Sequence, residues 1–304
     1  MGIIKKVAVA IVIPVVVLIV IVILFGIQFN SCTRLKMAED WKAETQLVPY
    51  VMYTSVYDDN KDYELCLRSL FDKHHDIMQV FTIFDSRIYF LYSVYEDYDN
   101  SKSCLFNITS VNMLDSKDIR VLYSDVFEPS SEYRMDIAKD YSERRAFYYG
   151  GKIVIKDTSK LIEYDIKTDT IKKYDPKEYQ YPQKRYQYTV NEDGSEILLK
   201  DTERGIEKLI TLDDMASNQY MQQILSVKDE TLPSGLSRID HFLRNVQELN
   251  GKAYIVGSMS NPQGEEFAVL FEYDIDSSKF KYVLNCWSPG YLNDEFYLLE
   301  YLED

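Results

Sequence analysis

The chain predicts an all-β domain built from repeated antiparallel units and carried on one N-terminal transmembrane helix. Three observations predict it. An uncharged apolar stretch opens the chain. Short apolar and aromatic runs alternate with turn residues through nearly all of the remaining sequence. One strand–turn–strand pattern recurs about a hundred residues apart. Strands do not alternate regularly with helices, which argues against a parallel α/β sheet.

The first element is Val7–Ile27, 21 residues with no charge, 14 of them Val or Ile. As a helix it spans about 30 Å, the thickness of a bilayer core. Val and Ile favour strands in water, but in lipid an isolated strand leaves its amides unpaired, so the helix wins. Pro14 falls in its first half and predicts a mild kink. Two other readings stand beside the uncleaved anchor. A cleaved signal peptide wants a shorter apolar stretch and a small-residue cleavage site. A lipoprotein would be lipidated at Cys32, where Ser31 fits and Phe29 and Asn30 do not. All three export the C-terminal domain. Lys5 and Lys6 precede the helix, and Arg34, Lys36 and Lys42 come after it, so charge alone does not orient it. The short basic tail favours the N-terminus inside. The organisation is then a tail at 1–6, a transmembrane helix at 7–27, a juxtamembrane connector at 28–46 with a short helix around Met37–Thr45, and a β domain at 47–304.

The domain is acidic. The formal net charge is −15, and residues 1–32 contribute only Lys5 and Lys6, so the remaining residues carry −17. That field repels phosphate backbones and argues against nucleic acid as a partner. Tyr is abundant at 26 residues, which suits half-buried strands. A chain this long buries enough surface to fold without disulfides or metal.

Strands are expected at Pro49–Tyr57, Tyr63–Phe71, Gln79–Phe84, Arg87–Tyr95, Cys104–Val111 and Ile119–Asp125. Further strands are expected at Ala146–Tyr149, Lys152–Lys156, Lys160–Asp165, Thr170–Tyr174, Arg185–Val190, Glu196–Lys200 and Glu207–Thr211. The last are Val246–Leu249, Lys252–Ser258, Phe267–Asp274, Lys279–Leu284 and Glu295–Tyr301. A helix is expected over Asp213–Val227, with both acids at its start and Met221, Ile224 and Leu225 on one face.

The repeat is the sharpest signal. Gly151-Lys152-Ile153-Val154-Ile155 leads into Leu161-Ile162-Glu163-Tyr164-Asp165-Ile166, and Gly251-Lys252-Ala253-Tyr254-Ile255 leads into Leu270-Phe271-Glu272-Tyr273-Asp274-Ile275. Gly permits the positive φ that opens the first strand. The Asp before the second turn bonds amides two residues on. Weaker copies begin near Pro49, Ser86 and Tyr188, so starts fall roughly 37 to 65 residues apart. Four-stranded propeller blades repeat at about 40–50 residues.

These units resemble blades of Kelch-like and quinoprotein-like β-propellers. Asn191-Glu192-Asp193-Gly194-Ser195-Glu196-Ile197 resembles the Pro-Asp-Gly signature of TolB-like propellers, with Glu192 where that family has Pro. The resemblance covers most of residues 47–302 and implies a β-propeller of five to six four-stranded blades around a channel. Glu295–Tyr301 would join an N-terminal strand to close the ring. A β-sandwich is the alternative, because short strands alone do not separate the two. The resemblance implies no function.

Few residues suggest chemistry. His74, His75 and His241 lack the partners of a metal site. Cys66 and Cys104 read as buried small apolar residues, with a disulfide between adjacent units as the alternative. Cys32 and Cys286 have no partner at zinc-knuckle spacing. The sequon Asn107-Ile108-Thr109 falls in a strand, Arg144-Arg145 reads as an exposed turn, and Asn261-Pro262-Gln263-Gly264 as a turn loop. No cofactor, metal or catalytic residue is assigned. The expected function is a membrane-tethered extracytoplasmic protein presenting loops to a protein, peptide or glycan. The alternatives are a carboxylate-based glycan hydrolase or lyase, and a sensor or assembly subunit of an envelope complex.

Overall fold

The computed structural model describes residues 36–37, 49–52, 55–58, 63–71, 75–94, 104–128, 141–218, 240–260, 266–288 and 297–302. The expected transmembrane helix at 7–27 lies outside them. Among the described residues no helix is long and apolar enough to cross a membrane.

The described chain is all-β. It opens with β1 (Lys36–Met37) and a first meander, β2 (Tyr50–Met52), β3 (Ser55–Asp58) and β4 (Tyr63–Cys66). A second comprises β5 (His75–Phe84), β6 (Arg87–Val94), β7 (Cys104–Asn112) and β8 (Asp115–Phe127). The third is β9 (Ala146–Tyr149), β10 (Lys152–Lys156), β11 (Leu161–Asp165) and β12 (Thr170–Tyr174). The fourth is β13 (Tyr186–Val190), β14 (Glu196–Asp201) and β15 (Ile206–Thr211), after which comes the short helix α1 (Leu212–Ala216). The fifth is β16 (Asp240–Leu249), β17 (Lys252–Ser260), β18 (Glu266–Asp274) and β19 (Lys279–Ser288), and the chain ends with β20 (Tyr297–Leu298) and β21 (Glu300–Tyr301).

Each meander is its own sheet, and none of the five closes on itself. Three short strands join distant parts of the chain. β1, from the connector, pairs with β19, and residues 38–45 of the expected helix around Met37–Thr45 lie outside the described residues. β20 pairs antiparallel with β2, tying the C-terminal region to the first sheet. β21 pairs in parallel with β5, which the sequence did not suggest.

Turn chemistry sets the hairpins. Asp85-Ser86, Gly150-Gly151 and Asn250-Gly251 all have positive φ at both positions, the type I′ geometry that matches strand twist. Gly151, at φ +82°, also faces the two Leu302 methyls at 3.4 Å from where a Cβ would stand. Equivalent bonds come after these turns: Met113 N donates to Ser86 O and Ile166 N to Gly151 O. At the second turn, Asp165 Oδ1 accepts from Thr168 N and Asp274 Oδ1 from Asp276 N, while Asp169 and Ser278 take matching positive φ.

Some expected elements differ. Pro49–Tyr57 is a hairpin, not one strand, and Tyr63–Phe71 leaves the strand after Cys66 for a 3-10 turn at Leu67–Leu70. Among the described residues the fourth sheet has three strands. Thr211 ends β15 in a capping box: its side chain accepts from Asp214 N, and the Asp214 side chain accepts from Thr211 N. The helix therefore starts at Leu212, capped by Thr211, rather than on Asp213. Met215 is fully buried in the shared core of the fourth and fifth sheets. Residues 219–227 of the expected helix lie outside the described residues.

Three pairs of sequential sheets share cores among the described residues. The first and second share a core including Val51, Val56, Ile88 and Phe90. The second and third share Phe106, Ile108, Ile153, Ile155 and Ile162. The fourth and fifth share Ile197, Ile210, Ile255 and Phe271. Each such side chain contributes about 1.5–3 kcal/mol by leaving water. The fifth meets the C-terminal strand where Leu298 N donates to Gln247 Oε1 at 2.9 Å.

Candidate functional site

The third sheet has two unlike faces. Side chains alternate along a strand, so Ile153 and Ile155 point toward the second sheet. Lys152, Val154 and Lys156 point the other way, beside Leu161 and Glu163 of β11. That face is not sealed by the apolar face of the fourth sheet. Tyr141, ahead of β9, and Tyr179 and Tyr181, in the linker after β12, cover its Phe147, Val154 and Leu161 instead.

Two buried ions lie on this face, and they are held differently. The Glu163 side chain is 6 % exposed. Its Oε1 accepts from Lys152 Nζ at 2.9 Å and its Oε2 from the Tyr179 hydroxyl at 2.9 Å. The bond to Glu163 raises the Lys152 pKa above its ordinary value. Burial, and then the bond to Glu163, raise that of Tyr179. Lys156 is fully buried and binds oxygens of neutral groups: Ser142 O at 2.5 Å, Tyr141 O at 3.4 Å and Tyr181 Oη at 3.1 Å. Its ammonium also lies 4.2 Å from the Tyr181 ring centroid. Burial pushes Lys156 down to about 8 and Tyr141 up to about 12.

Outward from these ions the face opens into a cleft of about 630 Å³, lined by Tyr149, Lys152, Glu163, Tyr174, Tyr179 and Pro182 among others. Tyr149 is 49 % exposed and Tyr174 36 %. Ring contacts orient both: Tyr149 meets Tyr141 edge-on at 5.8 Å, and Tyr174 meets Tyr179 edge-on at 5.2 Å. The cleft thus offers two half-exposed aromatic rings and a paired acid and amine at its floor. Such a set can stack on a ligand's apolar surface and hydrogen-bond its polar edge.

The residues that the sequence singled out are not gathered here. His75 and His241 lie on β5 and β16, and nothing is described of their side chains; His74 lies outside the described residues. Cys66 is exposed, contrary to its expected burial, and Cys104 is buried. Both are free thiols, so the disulfide alternative is corrected too. Cys66 is the last residue of β4, on the outward phase of a strand whose residues alternate between half-buried and exposed. Asn107 is buried, with its Oδ1 accepting from Ser124 Oγ. Arg144 is 5 % exposed and lies over Tyr141, and Arg145 stacks on Phe106 and donates to Glu128 O. The exposed-turn reading of Arg144 and Arg145 is therefore corrected: aromatic rings draw both guanidinium groups inward. Cys32 and Asn261–Gly264 lie outside the described residues, and only the backbone of Cys286 is described, on β19. Among the described residues no group of three or more His, Cys, Asp or Glu could hold a metal.

In the sequence, Lys152 and Glu163 stand out only as parts of the repeat, and Tyr149, Tyr174 and Tyr179 do not stand out at all. A usable signal is nonetheless present. Lys152 and Glu163 interrupt apolar strands on one phase, and tyrosines crowd positions 148–149 and 179–181.

No family model and no curated protein matches this chain. Solved structures similar to it include the extracellular domain of the hybrid two component system BT4673 from B. thetaiotaomicron. It is 11 % identical with a TM-score of 0.23, over 69 % of this chain and 28 % of that one. A hypothetical protein from Leishmania major is 9 % identical with a TM-score of 0.26, over 75 % and 91 %. The N-terminal domain of Nup159 is 10 % identical with a TM-score of 0.16, over 63 % and 47 %. This chain spans just over a quarter of the first of these. Likeness at that level carries no argument about fold or function.

Proposed function

We propose that this chain is a membrane-tethered, extracytoplasmic binding protein whose five meanders stand as propeller blades, with the third carrying the ligand site. The cleft carries this reading. Pre-oriented, half-exposed tyrosines over a paired Lys and Glu suit reversible recognition, and the site is open rather than deep. The blade arrangement is supported by the cores that the first and second, second and third, and fourth and fifth sheets share, and by β20, which joins the C-terminal region to the first sheet. The tether rests on the 21-residue apolar stretch Val7–Ile27.

Two experiments test it. Cys66 is an exposed free thiol and so a built-in topology probe. In a Cys32→Ser, Cys286→Ser background, a membrane-impermeant maleimide should label Cys66 on intact spheroplasts. Labelling only after lysis places the domain in the cytoplasm and overturns the location. The full chain in detergent, immobilised and probed with arrays of neutral glycans, charged glycans and peptides, should retain a ligand, and a Tyr149→Ala, Tyr174→Ala variant should lose it. Turnover of the retained compound, or retention of none, overturns the binding reading.

A further inference from the structure

Resting on that reading, we infer that the cleft of the third sheet binds a neutral oligosaccharide. The ligand that fits is the one that leaves every group in the cleft satisfied.

An anion is disfavoured twice. It would have to compete with Glu163 for Lys152, and it would approach a domain that carries −17 beyond residue 32. A cation suits the faces of Tyr149 and Tyr174 and the Glu178 carboxylate that also lines the cleft, but to reach the floor it would have to displace the Lys152 ammonium from Glu163. A purely apolar ligand would strip water from the Lys152–Glu163 pair and offer nothing in return, at the cost of burying polar groups without partners. What remains is an uncharged molecule with an apolar face and several hydroxyls. A pyranose has both: axial C–H groups on one side for a tyrosine ring, and equatorial hydroxyls at its edge.

The floor fits those hydroxyls. An ammonium has three donors, and Glu163 takes one from Lys152. A carboxylate has about four lone-pair sites, and Lys152 and Tyr179 occupy two. A sugar hydroxyl both donates and accepts, so it can bridge Lys152 and Glu163 without breaking their pair. A charged group cannot.

Size points to a chain of sugars rather than one. Tyr149 ends β9 and Tyr174 ends β12, the two edge strands of the sheet. Tyr149 is level with Lys152 and Tyr174 with Lys156, so three inter-strand steps and four residues along the strand separate them, roughly 19 Å between backbones at the usual spacings. The cleft volume of about 630 Å³ is likewise more than one ring would fill. The rings are also held before the ligand arrives, by the contacts to Tyr141 and Tyr179, so binding costs little side-chain ordering.

The test is calorimetric titration of the full chain in detergent with laminarihexaose, cellohexaose and mannohexaose, and separately with oligogalacturonate and a proline-rich peptide. One neutral hexaose should bind, with a dissociation constant unchanged between low and high salt. Tyr149→Ala and Tyr174→Ala should each weaken it about tenfold or more, while Tyr149→Phe, which keeps the ring, should leave it near the wild-type value. Lys152→Met should weaken it without changing its salt dependence. Binding only of the oligogalacturonate or the peptide, lost in the same Tyr→Ala variants, overturns the sugar assignment and leaves the binding reading standing. Hexaose binding that neither Tyr→Ala variant weakens overturns this site. If no probe binds at all while each variant stays folded by circular dichroism, both readings fall.

Discussion

The third and fifth sheets are two copies of one design, and they differ where the cleft is. Both open on a type I′ turn, and both carry a Lys–Glu pair across the two central strands: Lys152–Glu163 at 2.9 Å and Lys252–Glu272 at 2.8 Å. Both bury the Ile after the Tyr-Asp of the second turn, Ile166 and Ile275. The Lys–Glu pair is therefore part of the scaffold and is not by itself a binding feature. What sets the third sheet apart is its neighbours. Opposite Lys152 on the edge strand stands Tyr149, half exposed, where the fifth sheet has Leu249, buried, opposite Lys252. At the end of the same face stands Lys156, paired across to Leu161, where the fifth sheet has Val256 across from Leu270. The difference runs both ways: Tyr149 and Lys156 stand where the fifth sheet has Leu249 and Val256, while the fifth sheet has Tyr254 and Gln247 where the third has Val154 and Phe147.

The largest effect is expected where the copies agree. Ile155 and Ile255 occupy matching positions, and both are fully buried against a preceding sheet. Ile155→Ala and Ile255→Ala should each cost about 2–5 kcal/mol, read as a fall in the urea midpoint at constant slope. If one costs several times the other, the two sheets are not equivalent parts of one core, and their differences at the cleft have no common baseline.

A smaller effect isolates the difference. Lys156 is held at about 8 by burial, against an ordinary value near 10.4 in the unfolded chain. Its folded form gives up its proton first. Stability is therefore lowest below pH 8 and recovers as pH rises toward the unfolded value, because there the unfolded chain binds more protons. The recovery between pH 8 and pH 10 should amount to about 2 kcal/mol. Above pH 10 the tyrosines oppose it, since burial raises Tyr141 to about 12 while unfolded tyrosines ionise near 10. Urea midpoints across pH 8–10 should rise for the wild type relative to Lys156→Met, and a difference that stays flat would mean that Lys156 is not desolvated in solution.

Much of the scaffold could be read in advance because its determinants are local. Ala146–Tyr149, Lys152–Lys156 and Thr170–Tyr174 are short runs carrying β-branched or aromatic residues and bounded by turn residues, and they form strands with the expected ends. The helix start after the fourth sheet was harder to read, because Thr211 and Asp214 cap a helix only if the chain turns away at that point. β21 falls within the expected strand Glu295–Tyr301, but its parallel pairing with β5 could not be read, since β5 lies more than two hundred residues earlier. A second, shorter repeat is plain only once the turns are seen. Lys156-Asp157-Thr158-Ser159-Lys160 and Lys200-Asp201-Thr202-Glu203-Arg204 share a pattern, and both Asp are fully buried. Asp157 Oδ1 accepts from Ser159 N and Lys160 N, and Asp201 Oδ1 from Glu203 N and Arg204 N, in the same turn. The second Asp adds two arginines: burial pushes its carboxyl up, but bonds from Arg185 and Arg204 outweigh that and hold it at about 2. The cleft itself was illegible for a different reason. Its cover comes from Tyr179 and Tyr181, which lie in a linker with no period of its own.

The finest distinction between the copies is one hydroxyl. Glu163 Oε2 accepts from Tyr179, whereas Glu272 Oε2, its counterpart in the fifth sheet, has no hydrogen-bond partner among the described residues. Tyr179→Phe should make the third pair resemble the fifth. The ring contacts of residue 179 with Tyr174 and Tyr181 would persist, and Lys152 would still hold Glu163. Only the phenol's bond is lost, so the expected cost is about 1 kcal/mol in the urea midpoint. Because the freed oxygen faces the cleft, the same variant should leave neutral hexaose binding within a few fold of wild type, a hydroxyl of the sugar taking the place of the phenol. A loss of stability without loss of binding would separate the cover of the cleft from its floor. Loss of both would make Tyr179 part of the binding surface itself, and the third sheet would then owe its specificity to the linker rather than to the strands.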